Sequence, residues 1–251
     1  MTSLLTVVVI AIVAYQFMTG DETIDSVIAP VDDAPLTQSA DEVDAPALEE
    51  SDFTALEEPD GDFDYWVMAL SWSPDYCATN DYEDEQQCSI GKQLDFVLHG
   101  LWPQYEDGWP SYCTEEAFPY DLQADYAGLY PNDNLFSHEW EKHGTCSGLT
   151  PQGYLEWSET LKEALIIPPE YDAPLEPFRT DTANLQATFV EYNPAFRENA
   201  VAVYCSGSGR FLKEIYVCYE KNGDPRECSS EVLSKAARSC GQPDFLVRNT
   251  R

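Results

Sequence analysis

Positive charge is scarce in this chain, and so is histidine. Its 251 residues hold 13 Lys and Arg against 46 Asp and Glu, for a formal net charge of −33. The first basic residue is Lys92. A basic track of the kind that grips phosphate backbones is therefore missing, and any polyanion must be held by stacking and a few local cations. The plain reading of so acidic a composition is a salt-adapted organism that keeps its proteins soluble by charge. No two cysteines have C-x-x-C spacing, which removes the zinc-ribbon class. There is no internal repeat.

Long apolar runs are also missing, with one exception. Residues 4–13 are almost wholly apolar, and the run continues loosely to Met18. That is the length of a secretory h-region and short for a membrane span. No Lys or Arg precedes it and no A-x-A-like site follows it. Residues 1–20 therefore read as a signal peptide or as an anchor over residues 4–18. Either reading implies export, to a secreted or periplasmic location. Residues 21–62 carry 15 acidic residues and no basic one, so they are expected to be a disordered linker that cannot bury enough apolar surface to fold. Residues 63–251 remain as one domain with a formal charge of about −18.

All eight cysteines fall in that domain: Cys77, Cys88, Cys113, Cys146, Cys205, Cys218, Cys228 and Cys240. An even, widely spaced set behind an apolar N-terminus reads as four disulfides in an oxidising compartment. Residues 65–72 and 94–98 have strand composition, the second stopped by Gly100 and Pro103, with an acidic loop between them. Helices are expected over 121–130, from about Leu135 to His143, over 151–166 and over 181–190. Strands 200–205 and 211–219 flank Gly207-Ser208-Gly209 as a hairpin. Strands at both ends with helices between predict an α+β fold, a central antiparallel sheet with several packed helices, stabilised by disulfides.

The three histidines lie in two short segments, Phe96-Val97-Leu98-His99-Gly100-Leu101-Trp102-Pro103 and Ser137-His138-Glu139-Trp140-Glu141-Lys142-His143-Gly144-Thr145-Cys146. On a helix at about 100° per residue, His138, Lys142, Glu139 and His143 share an arc of about 140°, with Trp140 pointing away. Glu139 and His143 are then an i,i+4 pair, in which the carboxylate raises the pKa of the imidazole. A solvated charged face is the plain alternative. A zinc site of H-E-x-x-H type is disfavoured by spacing: the histidines are five apart, and the fourth position is the cation Lys142. Two imidazoles, a lysine and a glutamate without metal suit phosphoryl transfer, in which one group takes a proton, another gives one and a cation faces the equatorial oxygens. RNA supplies its own nucleophile, the 2′-hydroxyl.

The two segments together resemble the two active-site motifs of the ribonuclease T2 family. Weaker likenesses run over residues 69–77, 129–132 and 212–218. The resemblance covers residues 63–245 or so and implies a monomeric endoribonuclease. Such an enzyme acts on single-stranded RNA without metal or other cofactor and forms a 2′,3′-cyclic phosphate. It implies His99 as the acid on the leaving 5′-oxygen, His143 as the base on the 2′-hydroxyl, Glu139 and Lys142 as transition-state stabilisers and His138 as a phosphate binder. It also implies the pairs Cys77–Cys88, Cys113–Cys146, Cys205–Cys240 and Cys218–Cys228. The base site is expected at Trp102, Gln104 and Phe136, the last standing where the family often has Trp. Two rivals remain at this point, a family-fold binding module and a zinc hydrolase.

Overall fold

The computed structural model describes residues 56–80 and 84–251. The leader or anchor and nearly all of the acidic linker lie outside the described residues. Among those described, no helix is long and apolar enough to cross a membrane.

The frame is a six-stranded sheet. Strands β1 (Tyr65–Trp72), β2 (Phe96–Gln104), β4 (Val201–Ser206) and β5 (Phe211–Tyr219) form its antiparallel body, and β3 (Phe178–Thr180) and β6 (Phe245–Val247) extend it. The order is β2-β1-β5-β6-β3, with β4 also paired to β5, and only the short β5–β6 contact is parallel. The helices are α1 (Ser73–Thr79), α2 (Glu85–Cys88), α3 (Asn134–Lys142), α4 (Pro151–Ala164), α5 (Thr182–Tyr192) and α6 (Ser230–Ser239). Alternation along β1 sends Trp66, Met68, Leu70 and Trp72 into the larger core and Tyr65 and Val67 into a smaller one. The large core takes Trp140 from α3, Tyr154 and Leu161 from α4 and Phe189 from α5; the small one lies under Val232 and Ala236 of α6. This is the expected α+β architecture. Four disulfides join Cys77–Cys88, Cys113–Cys146, Cys205–Cys240 and Cys218–Cys228.

Several boundaries differ from the sequence reading. The packed chain begins before Phe63: the Glu57 carboxylate accepts from the Thr150 hydroxyl at 2.6 Å, and its carbonyl accepts from Trp157 Nε1 at 2.7 Å. Pro74 does not only end β1 but opens α1, where its missing N–H costs nothing. Gly100 and Pro103 do not stop the second strand. Because β2 is an edge strand, a proline within it need not remove a ladder bond. The helix expected over 121–130 shrinks to a 3-10 turn, Tyr120–Ala124, and the left-handed φ of +93° at Gly128 keeps helical conformation from continuing to Tyr130. Helix α6 and the short strands β3 and β6 were not anticipated.

Candidate active site

Three features of the edge strand build the site. Leu98 pairs with Leu70 and Gly100 with Ala69, so His99 is the extra residue of a β-bulge. A bulge reverses the alternation. Phe96 and Leu98 enter the large core before it and Leu101 after it, so His99 and Trp102 turn to the opposite face. At Gly100 a Cβ would overlap the Glu139 carboxylate and the indole nitrogen of Trp102. Glycine is thus required by close approach, and it lets α3 settle against β2.

Helix α3 supplies the rest. Phe136 and Trp140 are buried beneath it, and Trp140 Nε1 donates to the Glu116 carbonyl at 3.0 Å. This anchoring presents Glu139 to the strand. Trp102 Nε1 donates to Glu139 Oε2 at 2.7 Å, while Oε1 lies 3.8 Å from His99 Nε2 and 3.9 Å from His138 Nε2. The helix ends at Lys142. His143 is its C-cap, with φ −121° and ψ −49°, and its backbone N–H still donates to the Glu139 carbonyl at 2.9 Å. The Tyr112 N–H donates to the Lys142 carbonyl at 3.0 Å, and the Cys113–Cys146 bridge ties the loop after β2 to the turn after His143. The two motifs are thereby held against each other.

The expected Glu139–His143 side-chain pair is not formed. His143 leaves helical conformation, and its ring stacks on Trp102 instead, with centroids 5.1 Å apart and planes at 23°. His99 meets the same indole edge-on at 5.2 Å. The two imidazoles therefore flank one tryptophan. Neither ring nitrogen of His143 nor Glu139 Oε1 has a hydrogen-bond partner among the described residues, and all three atoms are sealed from solvent. Buried polar atoms left unpaired in a native fold call for an explanation.

Burial, not the acidic surface, governs the protons here. It draws the His143 imidazole down to about 3, with Lys142, His138 and His99 adding repulsion. The expectation that the Glu139 carboxylate would raise the His143 imidazole is thus reversed. His138 moves the same way, lowered by burial and by Lys142. Burial pushes the Glu139 carboxyl up to about 7, against the pull of His99, the Trp102 hydrogen bond and Lys142. The charge of Lys142 acts on all three of these neighbours.

The expected base site is only partly open. Phe136 is 2 % exposed and packs on Phe118 and Tyr130, so it belongs to the core and not to a base site. Gln104 is also buried, and its amide donates to the Pro103 carbonyl at 3.1 Å. Trp102 has one face covered by His143 and an edge contact with Tyr216. The exposed aromatics are Trp109 and Tyr112 on the adjoining loop, the former with Lys235 Nζ 4.7 Å over its ring. Glu214 and Ser71, which reach the other side of His99, were missed. Glu214 lay in a segment of recognised likeness, but its facing depends on a bulge that sequence does not reveal. Among the described residues no three ligand-type side chains group to hold a metal.

A model of the Ribonuclease T2 family matches residues 63–228. The chain belongs to the ribonuclease T2 family. It is 41% identical over 202 residues to a ribonuclease of Aeromonas hydrophila, covering 76% of this chain and 88% of that one. Among solved structures it resembles trichomaglin, described as a novel S-like ribonuclease, with TM-score 0.55 and 22% identity over 66% of this chain and 92% of that one. Ribonuclease MC1 from bitter gourd seeds gives TM-score 0.54 and 21% identity, over 65% and 92%. Family and relatives make this chain a T2-type endoribonuclease.

Proposed function

We propose that the enzyme cleaves single-stranded RNA by metal-independent transesterification, with His143 as base and His99 as acid. The observation that carries this reading is the flanking of Trp102 by two imidazoles in different surroundings. His143 is buried and held neutral, as a proton acceptor must be. His99 is partly exposed and faces the carboxylates of Glu139 and Glu214, which suits a ring that begins charged.

His143 takes the proton of the 2′-hydroxyl as that oxygen forms its bond to phosphorus. The P–O5′ bond breaks, and His99 delivers a proton to the departing oxygen. The products are a 2′,3′-cyclic phosphate and a free 5′-hydroxyl. Lys142 and His138 lie against the non-bridging oxygens, where charge accumulates. Glu139, partly protonated near neutrality, donates a hydrogen bond to one of them. The unpaired nitrogens of His143 and the free Oε1 of Glu139 acquire partners only when substrate is bound. Nucleotide binding has precedent in the fold, since a mutant of RNase MC1 is known in complex with 5′-UMP. The base rests against Tyr112 and Trp109, which are exposed, with Trp102 as the inner wall. Four disulfides favour an exported enzyme working in an oxidising compartment.

Digestion of the four homopolymers, with and without EDTA, tests this reading. Activity indifferent to EDTA, cyclic-phosphate ends and their loss in His143→Ala are expected. Dependence on a divalent metal would overturn it.

A further inference from the structure

His99 has a second carboxylate that the proposed reaction does not use. Glu214 on β5 is buried, with its side chain 6% exposed. Its Oε1 accepts from Lys213 Nζ at 2.7 Å and from the Tyr216 hydroxyl at 3.3 Å. Oε2 is left facing His99 Nδ1 at 3.9 Å, beside Ser71 Oγ at 3.5 Å from the same nitrogen.

This placement is built by a second bulge. Tyr204 pairs with Glu214 but Cys205 with Leu212, which leaves Lys213 as the extra residue of β5. Leu212 and Ile215 both enter the large core, so Glu214 falls on the His99 side, with Tyr216. Without that inserted residue Glu214 would share the core face with Leu212. Burial disfavours the Glu214 anion, but His99 and Lys213 outweigh it, and the carboxyl titrates below its ordinary value. It is therefore a fixed negative charge behind the ring.

We propose that Glu214 is a positioning residue for His99: its carboxylate keeps the proton on Nδ1, with Ser71 beside it, so that Nε2 is the nitrogen turned to the cleft. This rests on the reading of His99 as the acid. An imidazolium that gives up its Nε2 proton must keep the other at Nδ1, and Glu214 holds it there. The groups facing the ring are Glu139, His138 and His143 from the second motif, Ser71 from β1, Trp102 from its own strand and Glu214 from β5, the last backed by Lys213 and Tyr216.

Cleavage of a dinucleoside phosphate across pH, with side-chain nitrogen-15 NMR of the folded protein, tests the proposal. Glu214→Gln is expected to lower kcat roughly tenfold or more, the scale of a weakened acid–base step, with KM little changed. The alkaline limb of the profile should move to lower pH, and neutral His99 should lose its preference for the Nδ1–H tautomer. Glu214→Asp should restore part of both. Lys213→Met, which leaves Glu214 to His99 and Tyr216, should move the same limb to higher pH and serves if Glu214→Gln does not fold. If Glu214→Gln, or failing that Lys213→Met, changes stability but leaves the profile and the His99 resonances as in wild type, Glu214 merely anchors its neighbours and the proposal is overturned. Full activity in His99→Ala would instead overturn the reading of His99 as acid.

Discussion

Glu139 and His143 impose opposite pH dependences on folding, and removing either one should expose the other. The Glu139 carboxyl rises from an ordinary 4.5 to about 7 in the fold. A raised carboxyl contributes stability that is complete below 4.5 and lost as pH rises through 7. At about 1.4 kcal/mol per unit, the loss is on the order of 3 kcal/mol. The His143 imidazole falls from 6.5 to about 3. Its contribution is complete above 6.5 and disappears as pH falls toward 3, a change on the order of 5 kcal/mol. Between 4.5 and 6.5 the unfolded pair binds one proton, on the histidine, and the folded pair binds one, on the glutamate. The two slopes cancel there in wild type.

Glu139→Gln keeps an acceptor for Trp102 Nε1 but has no charge to bury. Urea unfolding with disulfides intact, from pH 4 to 8, should show this variant gaining about 3 kcal/mol on wild type between pH 4.5 and pH 7. The gain should accompany a loss of activity, as expected where a site stores unfavourable burial. His143→Gln should show the reverse, a stability that falls over the same interval. Parallel curves for wild type and Glu139→Gln would refute the reasoning, since they would mean that the carboxyl is solvated in the fold.

Two further predictions concern how the motifs are held. Gly100→Ala places a methyl against the Glu139 carboxylate and the Trp102 indole, so it should cost about 1–3 kcal/mol by urea titration and nearly all activity. Replacing Cys113 and Cys146 by Ala opens a loop of 33 residues, worth about 3–4 kcal/mol by chain entropy. Here kcat should fall even well below the melting transition, because the bridge ties the loop after β2 to the turn carrying His143.

Residue pattern alone supplied much of this protein. Two ordered motifs, eight cysteines and runs of strand-favouring composition pointed to the α+β fold and to the family, because local composition and short motifs are written in consecutive residues. What consecutive residues could not express was direction. A helical wheel put Glu139 and His143 on one face, but the helix stopped one residue short and Trp102 took the carboxylate. Phe136 stood at a base-site position and was claimed by the core. His99 and Glu214 face each other only because β2 and β5 each carry one unpaired residue, and a bulge has no signature in alternation until its partner strand is known. The proton affinity of His143 was likewise a tertiary outcome: an i,i+4 carboxylate suggested a raised imidazole, while burial reversed the sign.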